Sequence, residues 1–348
     1  MREVLFRVNA GLDVGLGHLS RCLNIAREIS SFFPVSFFIH THTQGSVDKY
    51  LKEVASDIGF HTLFFFEEDD MDTDIALIVD YVQKYDAYLV LDHYQVNVKY
   101  QLRLKKANIH WMQLDSHAAQ LFYADIVQHG SPGATDSLYK DLHGTDNGIF
   151  LLGPKYVIVN DVFTALHQVA KVRQTLSKVF ISFGGGYAKG ALKKYLGKIA
   201  SDYPSLELCV VFRSNHPDKE YLERLVDIHH NIHLYVDYDS IPELMLSCDL
   251  AILASGGMSY EAATLGLPSI LIALEDNQHI NLAGCSRLGI SCSLGVIEQV
   301  SVEQLCSTIA EIKDDESRLA EMSKCALEHF DGKGVLRIVD ILKQQMIN

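Results

Sequence analysis

The chain has 348 residues, with 30 basic against 44 acidic side chains and a formal net charge of −14. That length favours two domains at roughly 100–200 residues each, and 48% hydrophobic with 21% charged residues is ordinary globular composition. The acidic balance argues against general binding to nucleic acid or to an anionic membrane, which needs basic surface; a phosphate-bearing ligand needs only a few donors and stays open.

The first residues, "MREVLFRV", lack the apolar core and cleavage signature of a secretory leader. The longest apolar runs are strand-sized, so no segment is expected to span a bilayer. The seven cysteines, at 22, 209, 248, 285, 292, 306 and 325, include no CxxC pair. They read as reduced thiols of a cytoplasmic protein.

Short apolar runs alternate with stretches of helical period, the pattern of βαβ units and a parallel sheet. In the first half, strands are expected near 3–8, 35–39, 61–65, 87–91 and 109–113. A helix over 18–30 would place Leu19, Cys22, Leu23, Ala26 and Ile29 on one face. Between strand and helix lies "GLGHLSR". Gly15 and Gly17 allow close approach to the backbone. His18 falls in the first helical turn, where the helix dipole favours the neutral ring, a base able to take a proton from water or a hydroxyl. A tight turn with a histidine beside its cap is the alternative reading. The strand at 87–91 ends in Asp92-His93-Tyr94, polar groups able to orient a base or bind sugar hydroxyls. The next strand is followed by Asp115 and His117; for each of these clusters, a loop carboxylate bonding its local amides is the competing reading. The acidic run at 67–70 reads as a solvated loop.

Near residue 150 the pattern restarts. A polar helical stretch is expected over 164–177, then strands near 178–183, 207–212, 232–236, 249–254 and 269–273. Helices are expected over 189–201, 218–228, 240–247 and 259–265, with a mostly helical tail from 302. Gly184, Gly185 and Gly186 follow a strand without the GxGxxG spacing of a dinucleotide site, yet their amides can face a phosphate or substrate. Ser255-Gly256-Gly257-Met258-Ser259 follows another strand and opens a helix. A diphosphate would sit there on the Gly256–Ser259 amides, with Glu261 one turn in, placed to accept from ribose hydroxyls. The polar groups of 275–284 follow the next strand. No GxSxG elbow, P-loop or HExxH motif occurs, and the sixteen histidines do not cluster as a zinc site requires. No metal and no cofactor are expected. The fold class is α/β: two doubly wound, Rossmann-like domains facing across a cleft. The expected divisions are 1–160, carrying the catalytic histidine; 161–330, binding the nucleotide sugar; and a final helix over 331–348 that packs back on the first domain.

The pieces "GLGHLSR", "LDHY", "ADIV", "LLGPKYVIVNDVF", "SFGGG", "SGGMSYEAATLGLPS" and "DNQHINLAG", in this order over about residues 1–290, resemble the UDP-sugar hydrolases of pseudaminic acid biosynthesis and their spore-coat polysaccharide relatives. That family has the GT-B fold and is distantly related to MurG. The resemblance implies cleavage of UDP from a 2,4-diacetamido-trideoxyhexose, with His18 activating water and Asp92 or Tyr94 positioning it. It implies Gly256, Gly257 and Ser259 on the diphosphate, Glu261 on the ribose, and Asn277, Gln278 and Asn281 on the sugar or diphosphate. Gly15, Gly17, Arg21, His93, Gly185, Gly186, Ser255 and Met258 complete the expected substrate-binding set. The chain departs from the family pattern at Asn160-Asp161, at Tyr187 and around 128–134, where the sugar would be read. A glycosyltransferase using the same donor site is the alternative, and a silent nucleotide-sugar binder a third.

Overall fold

The computed structural model describes residues 2–11, 14–67, 70–184 and 188–347. It divides into two compact units: Met1–Gly130 with Ala134–Ile158 and Lys333–Asn348, and Ser131–Gly133 with Val159–Gly332.

The first unit opens with β1 (Glu3–Asn9), buried along its whole length. A strand covered on both faces is built from a near-continuous apolar run. Arg7 interrupts that run, and it is balanced where it lies: its guanidinium donates to Asp74 at 2.7 and 3.1 Å and to Asn9 at 2.6 Å. Helix α1 (Gly17–Ile29) follows, burying Leu19, Cys22, Leu23, Ala26 and Ile29 as its period requires. Then come β2 (Val35–His40), α2 (Gln44–Val54), β3 (Phe60–Phe66), α3 (Met71–Tyr85), β4 (Ala87–Asp92), α4 (Val98–Lys106), β5 (Trp111–Leu114), β6 (Ile126–His129), α5 (Asp136–Tyr139) and β7 (Ile149–Leu152). The seven strands form one parallel sheet in the order β3-β2-β1-β4-β5-β6-β7. Strand order reverses between β1 and β4, and the loops leaving those two strands flank that reversal.

The second unit contains α6 (Asp161–His167), β8 (Lys178–Ser182), α7 (Ala191–Asp202), β9 (Glu207–Phe212), α8 (Lys219–Ile228), β10 (Ile232–Val236), α9 (Ile241–Leu246), β11 (Leu250–Ala254), α10 (Gly257–Thr264), β12 (Ser269–Ala273), α11 (Gln278–Arg287), β13 (Ser291–Val296), α12 (Val302–Asp314) and α13 (Glu316–His329). Its six parallel strands run β10-β9-β8-β11-β12-β13, with the reversal between β8 and β11. The last helix, α14 (Gly334–Ile347), counts with the first unit. Both sheets are thus doubly wound, as expected. Among the described residues no helix is long and apolar enough to cross a membrane.

Two expectations need correction. The stretch 164–177 is helical only to His167. Arg173 is buried and donates to the carbonyls of Leu246, Cys248 and Leu265, around the carboxyl ends of α9 and α10. A cation satisfying those orphan carbonyls holds the chain out of helix. Three strands, β6, β7 and β13, add to the five expected in each half.

Candidate functional site

Gly15 has φ +79°, a conformation that suits glycine, whereas Gly17 lies in ordinary helical space with nothing within 4 Å of where a Cβ would stand. Helix α1 starts without a side-chain cap at Leu16. His18 is therefore carried on the first turn after β1, and it is buried. Asp92, the last residue of the neighbouring strand β4, comes to it: His18 Nδ1 lies 2.7 Å from Asp92 Oδ1. Arg21, one turn further along α1, forks onto the same carboxylate at 2.6 and 2.5 Å. A carboxylate can only accept, so the His18 ring donates its Nδ1 proton to Asp92, with Arg21 Nη2 3.2 Å from the same nitrogen; in the neutral ring that tautomer carries its lone pair on Nε2.

Burial alone would raise the Asp92 carboxyl, but the Arg21 guanidinium and His18 overcome it and hold the group well below the usual carboxylate range. Arg21 is raised in turn: burial works against its charge, and the neighbouring Asp92 prevails. Arg21 is among the expected substrate ligands; its Nε and Nη2 are engaged by Asp92, and the side chain also lines the pocket at the ends of β4 and β5. Tyr94 is 56% exposed and stands between two rings, edge-on to His18 at 4.4 Å and to His117 at 4.9 Å.

A pocket of about 300 Å³ opens where β4 and β5 end, lined among others by Asp92, His93, Tyr94, Gln113 and Asp115. His93 is buried and lines it, and burial together with Arg7 pushes its ring well below the ordinary histidine range. Asp115 accepts from the amides of His117 (3.2 Å) and Ala118 (2.8 Å), as a loop carboxylate does. It also accepts from the Tyr139 hydroxyl at 2.5 Å, and His129 Nδ1 sits 2.7 Å from that hydroxyl. Neither that chain nor Gln113 was singled out from sequence. Gln113 carried a signal, a polar residue in an otherwise apolar strand; the Tyr139 contact spans 24 residues and carried none.

In the second unit, Gly184 has φ +93° after β8, while Gly185, Gly186 and Tyr187 lie outside the described residues. The turn after β11 corrects part of the expected diphosphate cradle. The Gly256 amide donates to Ala254 (2.8 Å) and the Ser259 amide to Gly256 (3.0 Å), so the donors left open among the described residues are the Gly257 and Met258 amides. Asn281 is likewise structural: buried, it donates to the Ser255 carbonyl and hydroxyl and to the Ser259 hydroxyl at 2.8–3.2 Å, tying α11 to the start of α10. Gln278 accepts from the Leu274 amide at 2.8 Å, and its Nε2 lies 3.7 Å from where a Cβ on Gly256 would stand, so it borders the same turn. Asn277 is half-buried beside it. Glu261, on the second turn of α10, is pushed up to about 7 by desolvation. Among the described residues no three His, Cys, Asp or Glu side chains gather as a metal site would need.

No protein-family model matches the chain. In sequence it is 22% identical over 293 residues to the UDP-2,4-diacetamido-2,4,6-trideoxy-beta-L-altropyranose hydrolase of Campylobacter jejuni, spanning 82% of this chain and 97% of that protein. It is 23% identical over 232 residues to the spore coat polysaccharide biosynthesis protein SpsG of Bacillus subtilis, spanning 66% and 67%. The resemblance read from sequence holds. Among solved structures, MurG of Acinetobacter baumannii superposes with a TM-score of 0.69 at 16% identity, over 98% of this chain and 99% of that one. The UDP co-structure of MnaA from S. aureus gives 0.67 at 12%, over 99% and 97%. The chain has the GT-B fold of two Rossmann-like domains.

Proposed function

We propose that the protein is a nucleotide-sugar hydrolase that splits UDP from a diacetamido-trideoxyhexose-like sugar in the synthesis of pseudaminic acid or a related surface glycan. The observation that carries this reading is the Arg21–Asp92–His18 array at the strand-order reversal. The names of the curated relatives support the substrate class.

In this reading, Arg21 fixes Asp92, Asp92 holds His18 in the tautomer whose Nε2 is free, and His18 takes a proton from water. The water oxygen bonds to the anomeric carbon. The bond from that carbon to the diphosphate breaks, and its electron pair leaves on UDP. The leaving group is already stable, so positioning and neutralisation by amides lower the barrier further. The Gly257 and Met258 amides at the N-terminus of α10 serve the diphosphate, and Glu261 the ribose.

The test is release of UDP from a panel of UDP-sugars with no acceptor present. Wild type releases UDP, and His18→Ala lowers the rate by about 10²–10⁴, the usual contribution of a positioned base. Release only after an acceptor is added makes the protein a transferase and overturns the hydrolytic reading. Binding without turnover makes it a carrier.

A further inference from the structure

Among the described residues the His18 ring is hydrogen-bonded through Nδ1 alone. A bond at one ring nitrogen fixes the tautomer, but the last torsion of a histidine is broad, so the tilt of the ring is left to packing. Tyr94 supplies that packing, edge-on to His18 at 4.4 Å and 78°. Tyr94 is itself more than half exposed, and a ring so placed needs a brace of its own. It meets the His117 ring edge-on, at 4.9 Å and 87°.

His117 is exposed, so its ring is held only as well as its backbone. That backbone is clamped. Asp115 accepts from the amides of His117 and Ala118, and Ala118 sits at φ +50°, a conformation that a residue with a Cβ keeps only where its surroundings impose it. Asp115 is fixed in turn. Its own amide donates to the Gln128 carbonyl at 2.9 Å, extending the ladder between β5 and β6. Its carboxylate accepts from the fully buried Tyr139 hydroxyl, which His129 also meets. Burial and the neighbouring Asp115 push that hydroxyl far above its ordinary range, and burial takes His129 down to about 4. Neither group changes charge near neutral pH, so the anchor is constant there. A loop carboxylate bonding its local amides accounts for Asp115; it does not account for three rings in series that end on His18.

We infer that His117 is a positioning residue for the hydrolytic step: its ring braces Tyr94, and Tyr94 sets the plane of the His18 ring and with it the direction of Nε2. The inference rests on the reading of His18 as the base. An edge-on aromatic pair biases a ring between orientations by about two- to tenfold. A base turned from its line of attack loses transition-state contact without loosening bound substrate, so the deficit falls on kcat.

The experiment measures UDP release from the UDP-sugar that wild type hydrolyses fastest. His117→Ala lowers kcat by about two- to tenfold with KM unchanged, and His117→Phe, which keeps a ring, restores kcat to within about twofold. In a Tyr94→Ala background His117→Ala has no further effect, because the brace acts only through Tyr94. Equal losses in the Ala and Phe variants, a change in KM alone, or additive losses in the double variant overturn the inference and leave the hydrolase reading standing. A second readout needs no turnover. In protein carrying 13C-labelled histidine, the His18 Cε1–H signal, identified by its loss in His18→Ala, moves in His117→Ala in the direction it moves in Tyr94→Ala, and holds its place in His117→Phe. A signal unmoved in His117→Ala overturns the inference. If wild type turns over no UDP-sugar, the hydrolase reading falls, and the His18 signal still decides whether His117 sets that ring.

Discussion

Two carboxyl groups at the strands where the sheets reverse, Asp92 as the last residue of β4 and Glu261 in the helix after β11, are driven in opposite directions. Asp92 is buried beside a guanidinium and an imidazole, which overcome desolvation and keep it ionised. A folded-state value below the unfolded one adds stability that is present above the ordinary carboxylate range and is lost as pH falls through the folded value. Glu261 meets desolvation, and its carboxyl rises to about 7. Its sign is the reverse: the native state binds the proton more tightly, so stability declines as pH climbs from about 4.5 through 7. The ionised form offers two equivalent acceptor oxygens, one for each hydroxyl of a ribose, whereas protonation turns one of them into a donor. Uridine, which carries no phosphate, therefore binds wild type more tightly at pH 8 than at pH 6, by roughly tenfold if the ionised form alone binds, and Glu261→Gln binds with no such slope. Calorimetric titration at the two pH values checks this; a flat wild-type profile removes Glu261 from the ribose.

At the scale of elements, α11 shows how close approach dictates sequence. A Cβ on Gly284 would stand 2.1 Å from the Gly133 nitrogen and 2.4 Å from the Pro132 carbonyl carbon, and one on Gly133 would stand 1.9 Å from the Ile280 carbonyl oxygen. Helix and the Ser131–Gly133 segment thus meet backbone to backbone within the second unit, and Arg287 donates to the Pro132 carbonyl at 2.6 Å. Helix propensity favours Ala over Gly by about 1 kcal/mol, whereas overpacking a fixed backbone costs about 1–3 kcal/mol or more. At 2.1 Å from a main-chain atom no rotamer relieves the clash, so packing wins: Gly284→Ala lowers stability by about 1–3 kcal/mol, read from urea midpoints. A neutral or stabilising result refutes that packing.

The same scale explains what could be read in advance. Strands such as β1 and β4, covered on both faces, announce themselves as apolar runs, and both ends of the His18–Asp92 pair follow from finding those ends. β6 was missed because its sequence, IVQH, is half polar; Gln128 is matched by the Tyr156 carbonyl and His129 by Tyr139, partners 28 and 10 residues away. β13 is rich in serine and only partly covered. The Arg21–Asp92 pair is not legible in the sequence, because the partners, 71 residues apart, become adjacent only once β1 and β4 pair. Asn281 looked like one because the hydroxyls that satisfy it lie on another turn.

At the scale of the whole molecule, the chain leaves the first unit near Ile158 and returns to it at Lys333. The returning helix α14 is embedded: Ile338, Val339, Leu342 and Met346 are buried in the same core as Leu19, Ile25 and Val90. Its entry is pinned at Gly334, where a Cβ would lie 1.9 Å from the Val157 carbonyl oxygen, and its far end accepts from Arg2 at 2.8 Å through the Met346 carbonyl. Burying four such side chains is worth about 6–12 kcal/mol at ~1.5–3 kcal/mol each, comparable to the ~5–15 kcal/mol by which a domain is stable at all. Residues 1–158 alone are therefore expected not to unfold cooperatively in urea, whereas the same residues joined through a flexible linker to 333–348 are. A cooperative transition of similar midpoint in both would show that α14 merely covers a core that stands without it. Restoration by the linked helix alone would show that sequence distance is no measure of membership: the last sixteen residues complete the unit that the first strand begins.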